Sequence, residues 1–104
     1  MILSQSNTMT QDIEAARKEG FLTEFYFRDG RIHCQNSLNN YRHDECVLVE
    51  YCRHEGMTDP GDGSILFLIE CTDGSKGYLT SGYGIYADTD TVDFVLSLER
   101  INKI

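Results

Sequence analysis

Seven side chains in this sequence are suited to metal or nucleophilic chemistry: His33, Cys34, His43, Cys46, Cys52, His54 and Cys71. Thiolate and imidazole are the usual ligands of zinc-class cations, and structural zinc sites use four, commonly as two close-spaced pairs. His43 and Cys46 have a workable spacing, and Cys52 and His54 alternate onto one face of a strand. Neither is a CxxC knuckle, so the expectation is no metal and no cofactor, with buried, reduced thiols and surface histidines. An even cysteine count could signal two disulfides, but the start of the chain lacks a secretory pattern and no two cysteines are closely spaced. A cysteine nucleophile needs a histidine base and an orienting third group. Cys34 and His33 cannot supply these locally, because neighbours on a strand point to opposite faces. Ser81-Gly82 lacks the flanking glycines of a nucleophile elbow. No catalytic residue is assigned.

The carboxylates offer calcium chemistry, and the spacing fails. An EF-hand loop needs oxygen ligands at its first, third and fifth positions. Counted from Asp59 these are Asp59, Gly61 and Gly63, and from Asp88 they are Asp88, Asp90 and Val92. Both segments read better as turn and helix-cap chemistry.

The elements that must position these residues follow from local pattern. Thr8 with Gln11 makes a capping box, Asp12 and Glu14 favour the positive end of a helix, and Arg17 and Lys18 suit its negative end. Met9, Ile13 and Ala16 form its buried stripe, and Gly20 ends it. Residues 21–27 are rich in aromatics and β-formers, Asp29-Gly30 is a hairpin turn, and 31–34 return. Residues 35–40 are a polar loop. Cys46–His54 is a third strand, with Val47, Val49 and Tyr51 on one face and Cys46, Leu48, Glu50 and Cys52 on the other. Residues 56–64 hold three glycines and the only proline, so they form a loop. Residues 65–69 are continuously apolar, as a central strand covered on both sides would be. Residues 77–80 pair back as a fifth strand, and a Gly/Tyr connection leads to a second helix starting near Asp90, with Phe94, Leu98 and Ile101 on its inner face. The sum is an α+β fold, an antiparallel sheet of about five strands in hairpins flanked by an N-terminal and a C-terminal helix. Residues 1–7 are expected to be a flexible N-terminus and 8–104 a single domain.

At 104 residues the chain is long enough for one modest core. Nine Lys and Arg against 17 Asp and Glu give a net charge of −8, which repels phosphate backbones and anionic membrane. No apolar run approaches the ~18 residues of a membrane span, and a cytoplasmic location is expected. A basic protein surface is the better partner. The plainer account is that the charge keeps a small domain soluble.

Glu55-Gly56-Met57-Thr58-Asp59-Pro60, Asp62, residues 64–69, Asp73-Gly74-Ser75-Lys76-Gly77-Tyr78-Leu79 and Tyr83-Gly84-Ile85-Tyr86-Ala87-Asp88 together resemble a family of small stand-alone bacterial proteins. Some of its members carry the name phosphoribosylpyrophosphate synthetase. The resemblance covers most of the chain, is strongest over 51–88, and implies a coherent fold without supplying catalytic residues. That name fails on chemistry, since a pyrophosphokinase must bind ATP, metal and ribose phosphate. The chain has neither a Gly-Lys-Ser/Thr P-loop nor a strand followed by paired Asp and a Thr-Gly turn.

The remaining candidate surface is tyrosine-bearing and acidic: Tyr78, Tyr83, Tyr86 and Asp88, with Glu55, Met57 and Asp59 from the preceding loop. Tyrosines suit interfaces, and acids around them select a basic partner. The competing account has these rings capping the open sheet face. The expected function is a non-catalytic protein-binding domain, a regulator or inhibitor of a larger partner. One alternative is a small-molecule binder or enzyme with its site between the 56–64 loop and the 82–88 segment. The other is a self-associating structural domain, a homodimer through a strand edge.

Overall fold

The protein is described by a computed structural model covering residues 2–54, 63–83 and 89–100, with Tyr83 described by its backbone. Helix α1 (Met9–Lys18) begins with the expected capping box, in which Thr8 accepts from the Gln11 amide and the Gln11 side chain accepts from the Thr8 amide. It is followed by β1 (Thr23–Arg28), β2 (Arg31–Cys34), β3 (Asn40–Tyr41), a short 3-10 turn (His43–Glu45), β4 (Cys46–His54), β5 (Gly63–Cys71), β6 (Lys76–Tyr83), α2 (Thr89–Leu96) and β7 (Glu99–Arg100). Asp29 and Gly30 both have positive φ, at 54° and 74°, which matches the twist of a two-residue hairpin.

The fold is α+β, but its sheet is mixed rather than antiparallel and, among the described residues, has seven strands rather than about five. The order is β3-β2-β1-β6-β5-β4-β7. Two hairpin systems, β1-β2-β3 and β4-β5-β6, join where β1 runs parallel to β6 through Thr23↔Gly77 and Glu24↔Tyr78. The other parallel contact sets β7 beside β4, through Val47↔Glu99 and Leu48↔Arg100. Residues 98–101 mimic the tail of a helix because Leu98 and Ile101 continue the spacing of Phe94. Instead α2 stops at Leu96, and Glu99–Arg100 turn back onto the sheet. Strands β3 and β7 are two residues each, too short to show a period of two.

The helices lie on opposite faces. Beneath α2 is an apolar layer of Phe25, Ile32, Leu48, Ile65, Phe67, Ile69, Leu79, Val95 and Leu98 with Cys34, Cys46, Cys71 and Tyr41. Beneath α1 is a smaller layer of Leu3, Ala16, Phe21, Cys52, Leu66, Leu68 and Tyr78. Strand β5 supplies both, so all of 65–69 is buried, as a strand covered on two sides must be. No helix among the described residues is long and apolar enough to cross a membrane.

Candidate metal centre

One irregularity in β4 decides which side chains meet. Cys46 pairs with Cys71, Val47 with Glu70 and Leu48 with Ile69, but Glu50 then pairs with Leu68, leaving Val49 as an extra residue. This bulge reverses the alternation. Cys46 and Leu48 face α2, whereas Glu50, Cys52 and His54 face α1. A regular strand would have put Cys52 on the face of Cys46, as the sequence pattern suggested.

Helix α1 brings Asp12 to the same place. Helical side chains lean toward the N-terminus, so Asp12 reaches back over residues 4–7. Its Oδ1 accepts from the Ser4 amide at 3.1 Å and from Asn7 Nδ2 at 2.8 Å. Its other oxygen, Oδ2, lies 2.9 Å from His54 Nε2, and the two side chains are 0% and 8% exposed. The pair is close but out of line: Nε2 has no aligned hydrogen-bond partner among the described residues. The Cys52 thiol completes the group, its sulfur and the Asp12 and His54 ligand atoms all lying within 4.8 Å of one another.

Glu50 occupies the next position on that face and accepts from the Ile2 and Leu3 amides at 2.8 to 3.1 Å. Two carboxylates, one from β4 and one from α1, thus clamp three successive backbone amides, and Leu3 is buried. The amides of Ile2, Leu3 and Ser4 are fastened to the domain in this way. Between this segment and β4 runs a groove of about 570 Å³, lined by residues 3–6 and 50–53, and Cys52 is the member of the cluster that reaches it.

Cys52, His54 and Asp12 have the residue types of a nucleophile, base and orienter. Burial first, and then the charges of Asp12 and Glu50, push the Cys52 thiol up. A thiol kept protonated is a poor nucleophile. A divalent cation reverses that balance, because it supplies the positive charge that two nearby anions demand. The arrangement is better suited to ligating a cation than to attacking a carbonyl.

The other members of the thiol and imidazole set lie outside this cluster. His33 stacks on Tyr26 at 5.2 Å, and His43 hydrogen-bonds Ser97 Oγ at 2.8 Å and abuts Phe94. Cys34, Cys46 and Cys71 are buried under α2, and all four cysteines are free thiols. Of the tyrosine-bearing surface, Glu55, Met57, Asp59, Tyr86 and Asp88 lie outside the described residues, as do most of the 56–64 loop and the 82–88 segment. Tyr83 is described by its backbone alone. Tyr78 is a correction: it is 9% exposed and packs with the layer beneath α1, since its register against Leu68 turns it inward.

Two signals in the sequence point to the cluster. Asp12 falls inside the Met9, Ile13 and Ala16 stripe, where an acid is either misplaced or needed. Glu50 is the one acid within the strand Cys46–His54. No protein-family model, curated protein or solved structure matches this chain.

Proposed function

We propose that this protein is a small acidic metal-binding domain, holding one zinc-class divalent cation between Asp12, Cys52 and His54. The observation that carries this reading is the buried imidazole nitrogen of His54, without an aligned hydrogen bond and grouped with a carboxylate and a thiol within 4.8 Å. Donor atoms around tetrahedral zinc, with bonds of ~2.0–2.3 Å, lie about 3.5 Å apart, so small side-chain rotations close the set. One carboxylate and one thiolate balance a doubly charged ion within the buried ligand set, where an unbalanced charge is costly. Asn7 and the Ser4 amide orient Asp12 from behind, as outer partners of metal ligands do. Three protein ligands leave a fourth position for water or a partner's side chain.

The experiment is calorimetric titration of the untagged protein with zinc, followed by cobalt substitution read in the visible and near-ultraviolet. One equivalent of zinc should bind, and cobalt should show a sulfur charge-transfer band that Cys52→Ser removes. His54→Ala should weaken binding at least tenfold, consistent with losing one of three ligands. Absence of stoichiometric binding at pH 7, or a cobalt spectrum unchanged by Cys52→Ser, refutes the reading.

A second reading, recognition of a basic protein surface, is supported by the net charge of −8. Its mark is a complex whose association slows steeply as salt rises.

A further inference from the structure

The face beneath α2 holds a pair of thiols, independent of the cluster above. Cys46 opens β4, Cys71 closes β5, and the two are direct partners in the antiparallel ladder. The hydrogen bonds around them fix the kind of pairing. The Thr72 amide donates to the Glu45 carbonyl at 2.9 Å, so Glu45 and Thr72 form a hydrogen-bonded pair. The amide of Cys71 points the other way, donating to the Ser75 carbonyl at 2.8 Å. Pairs alternate along an antiparallel ladder, so Cys46 and Cys71 form a non-hydrogen-bonded pair, the type with Cα atoms about 4.5 Å apart and side chains closest. That separation lies inside the ~4.4–6.8 Å range a disulfide spans. Their side chains project to the same face, beneath α2. They lie at the end of the ladder, where Cys71 borders a surface depression of about 260 Å³ with Glu45, Glu70 and Gly74.

We propose that Cys46 and Cys71 are a reversible redox pair that closes to a cross-strand disulfide when a small hydroperoxide oxidises Cys46. The neighbouring Cys71 thiol favours the Cys46 thiolate, while Cys71 itself is pushed up, which distinguishes an attacking from a resolving thiol. In the first step the Cys46 sulfur attacks the peroxide O–O bond. The S–O bond forms, O–O breaks, and with one proton taken up the products are Cys46 sulfenic acid and water, or an alcohol from an organic peroxide. In the second step the Cys71 sulfur attacks the Cys46 sulfur and the S–S bond forms. The hydroxyl leaves, taking up the proton Cys71 releases, as water. A dithiol reductant returns both thiols by exchange.

The experiment is treatment of the folded, metal-free full chain with a slight excess of hydrogen peroxide, then alkylation, non-reducing digestion and mass spectrometry. The expected product is a peptide pair joining residues 46 and 71, two hydrogens lighter than the sum of its parts and separated by dithiothreitol. Cys46→Ser abolishes the link, whereas Cys71→Ser leaves a sulfenic acid on Cys46 that a 1,3-diketone reagent traps. Cys34→Ser and Cys52→Ser retain the link in full, which separates this pair from the proposed metal ligands. Circular dichroism of each variant establishes that it is folded. The proposal is overturned if both thiols stay alkylatable after prolonged oxidation, if the link appears only in denaturant, or if oxidation falls on Cys34 or Cys52 instead.

Discussion

The two faces of the sheet are built on different terms. Beneath α2 the layer is apolar, and its polar members are thiols and one tyrosine hydroxyl. Beneath α1 the layer is thinner, and a fully buried carboxylate, a second carboxylate and an imidazole share it with Leu3, Phe21 and Leu68. An apolar layer gains stability by area and tolerates small shifts. A polar one is held only while each donor and acceptor keeps its partner. The contrast arises because one extra residue in β4 lets a single strand feed Cys46 and Leu48 to one face and Glu50, Cys52 and His54 to the other.

Inserting one alanine between Glu50 and Tyr51 attacks the contrast at its source. It would turn Cys52 and His54 to the face of Phe67 and bring Tyr51 against α1. The expected cost exceeds about 5 kcal/mol, the low end of a small domain's whole stability, so the variant should be unfolded. An insertion variant with a native near-ultraviolet spectrum would show that the register of β4 does not set the faces.

The next effect is on the apolar side. Phe67→Ala, at a residue with no exposed surface, should cost about 4 kcal/mol in urea unfolding through the cavity it leaves. Because Phe67 faces α2, the loss should be the same with and without zinc.

Asp12→Ala should differ in that respect. Without metal it should cost about 3 kcal/mol, because the Ser4 amide and Asn7 lose their common charged acceptor. With zinc at a hundred times its Kd the gap to wild type should widen by ~2.7 kcal/mol, since the variant no longer gains from the ion. Equal gaps in the two conditions would place the acid in a structural role alone.

The smallest effect is a matter of pH. Tyr41 donates to Asp73 Oδ2 at 2.9 Å, and burial, its largest perturbation, pushes its hydroxyl up from 10.0 to about 12. Above pH 10 the unfolded chain loses this proton while the folded protein keeps it. The contribution of Tyr41 is therefore complete below pH 10 and lost as pH climbs through about 12. Tyr41→Phe should cost about 1 kcal/mol at neutral pH and flatten the alkaline limb of the stability profile. An unchanged slope between pH 10 and 12 would remove Tyr41 as its cause.

Periodicity carries much of this fold and little of the site. The capping box at Thr8, the Asp29-Gly30 turn, the bounds of β4 and the doubly buried 65–69 run all follow from local chemistry. The parallel contacts do not. The β1–β6 pairing depends on where two hairpin systems abut, and β7 depends on α2 stopping at Leu96. The site was hidden for a related reason. Cys52 and His54 do share a face, but the bulge at Val49 carries no turn residue to announce it. Asp12, which suits a helix dipole equally well, becomes a buried acceptor only because residues 2–7 fold back across it. Tyr78 shows the reverse error, an aromatic in a glycine-rich segment that the β5 register turns into the core.

The clamp on the first residues also bears on how the chain acquires its shape. The amide of Ile2 finds its acceptor on Glu50, 48 positions further along. As the chain leaves a ribosome, Ile2 and Leu3 must wait for Glu50 until β4 has emerged and docked. Helix α1, being local, can form early, but the amides ahead of it gain both carboxylates only after the sheet is in place. Ile2 and Leu3 are thus among the last to settle, and an unfinished chain would lack the partners they need.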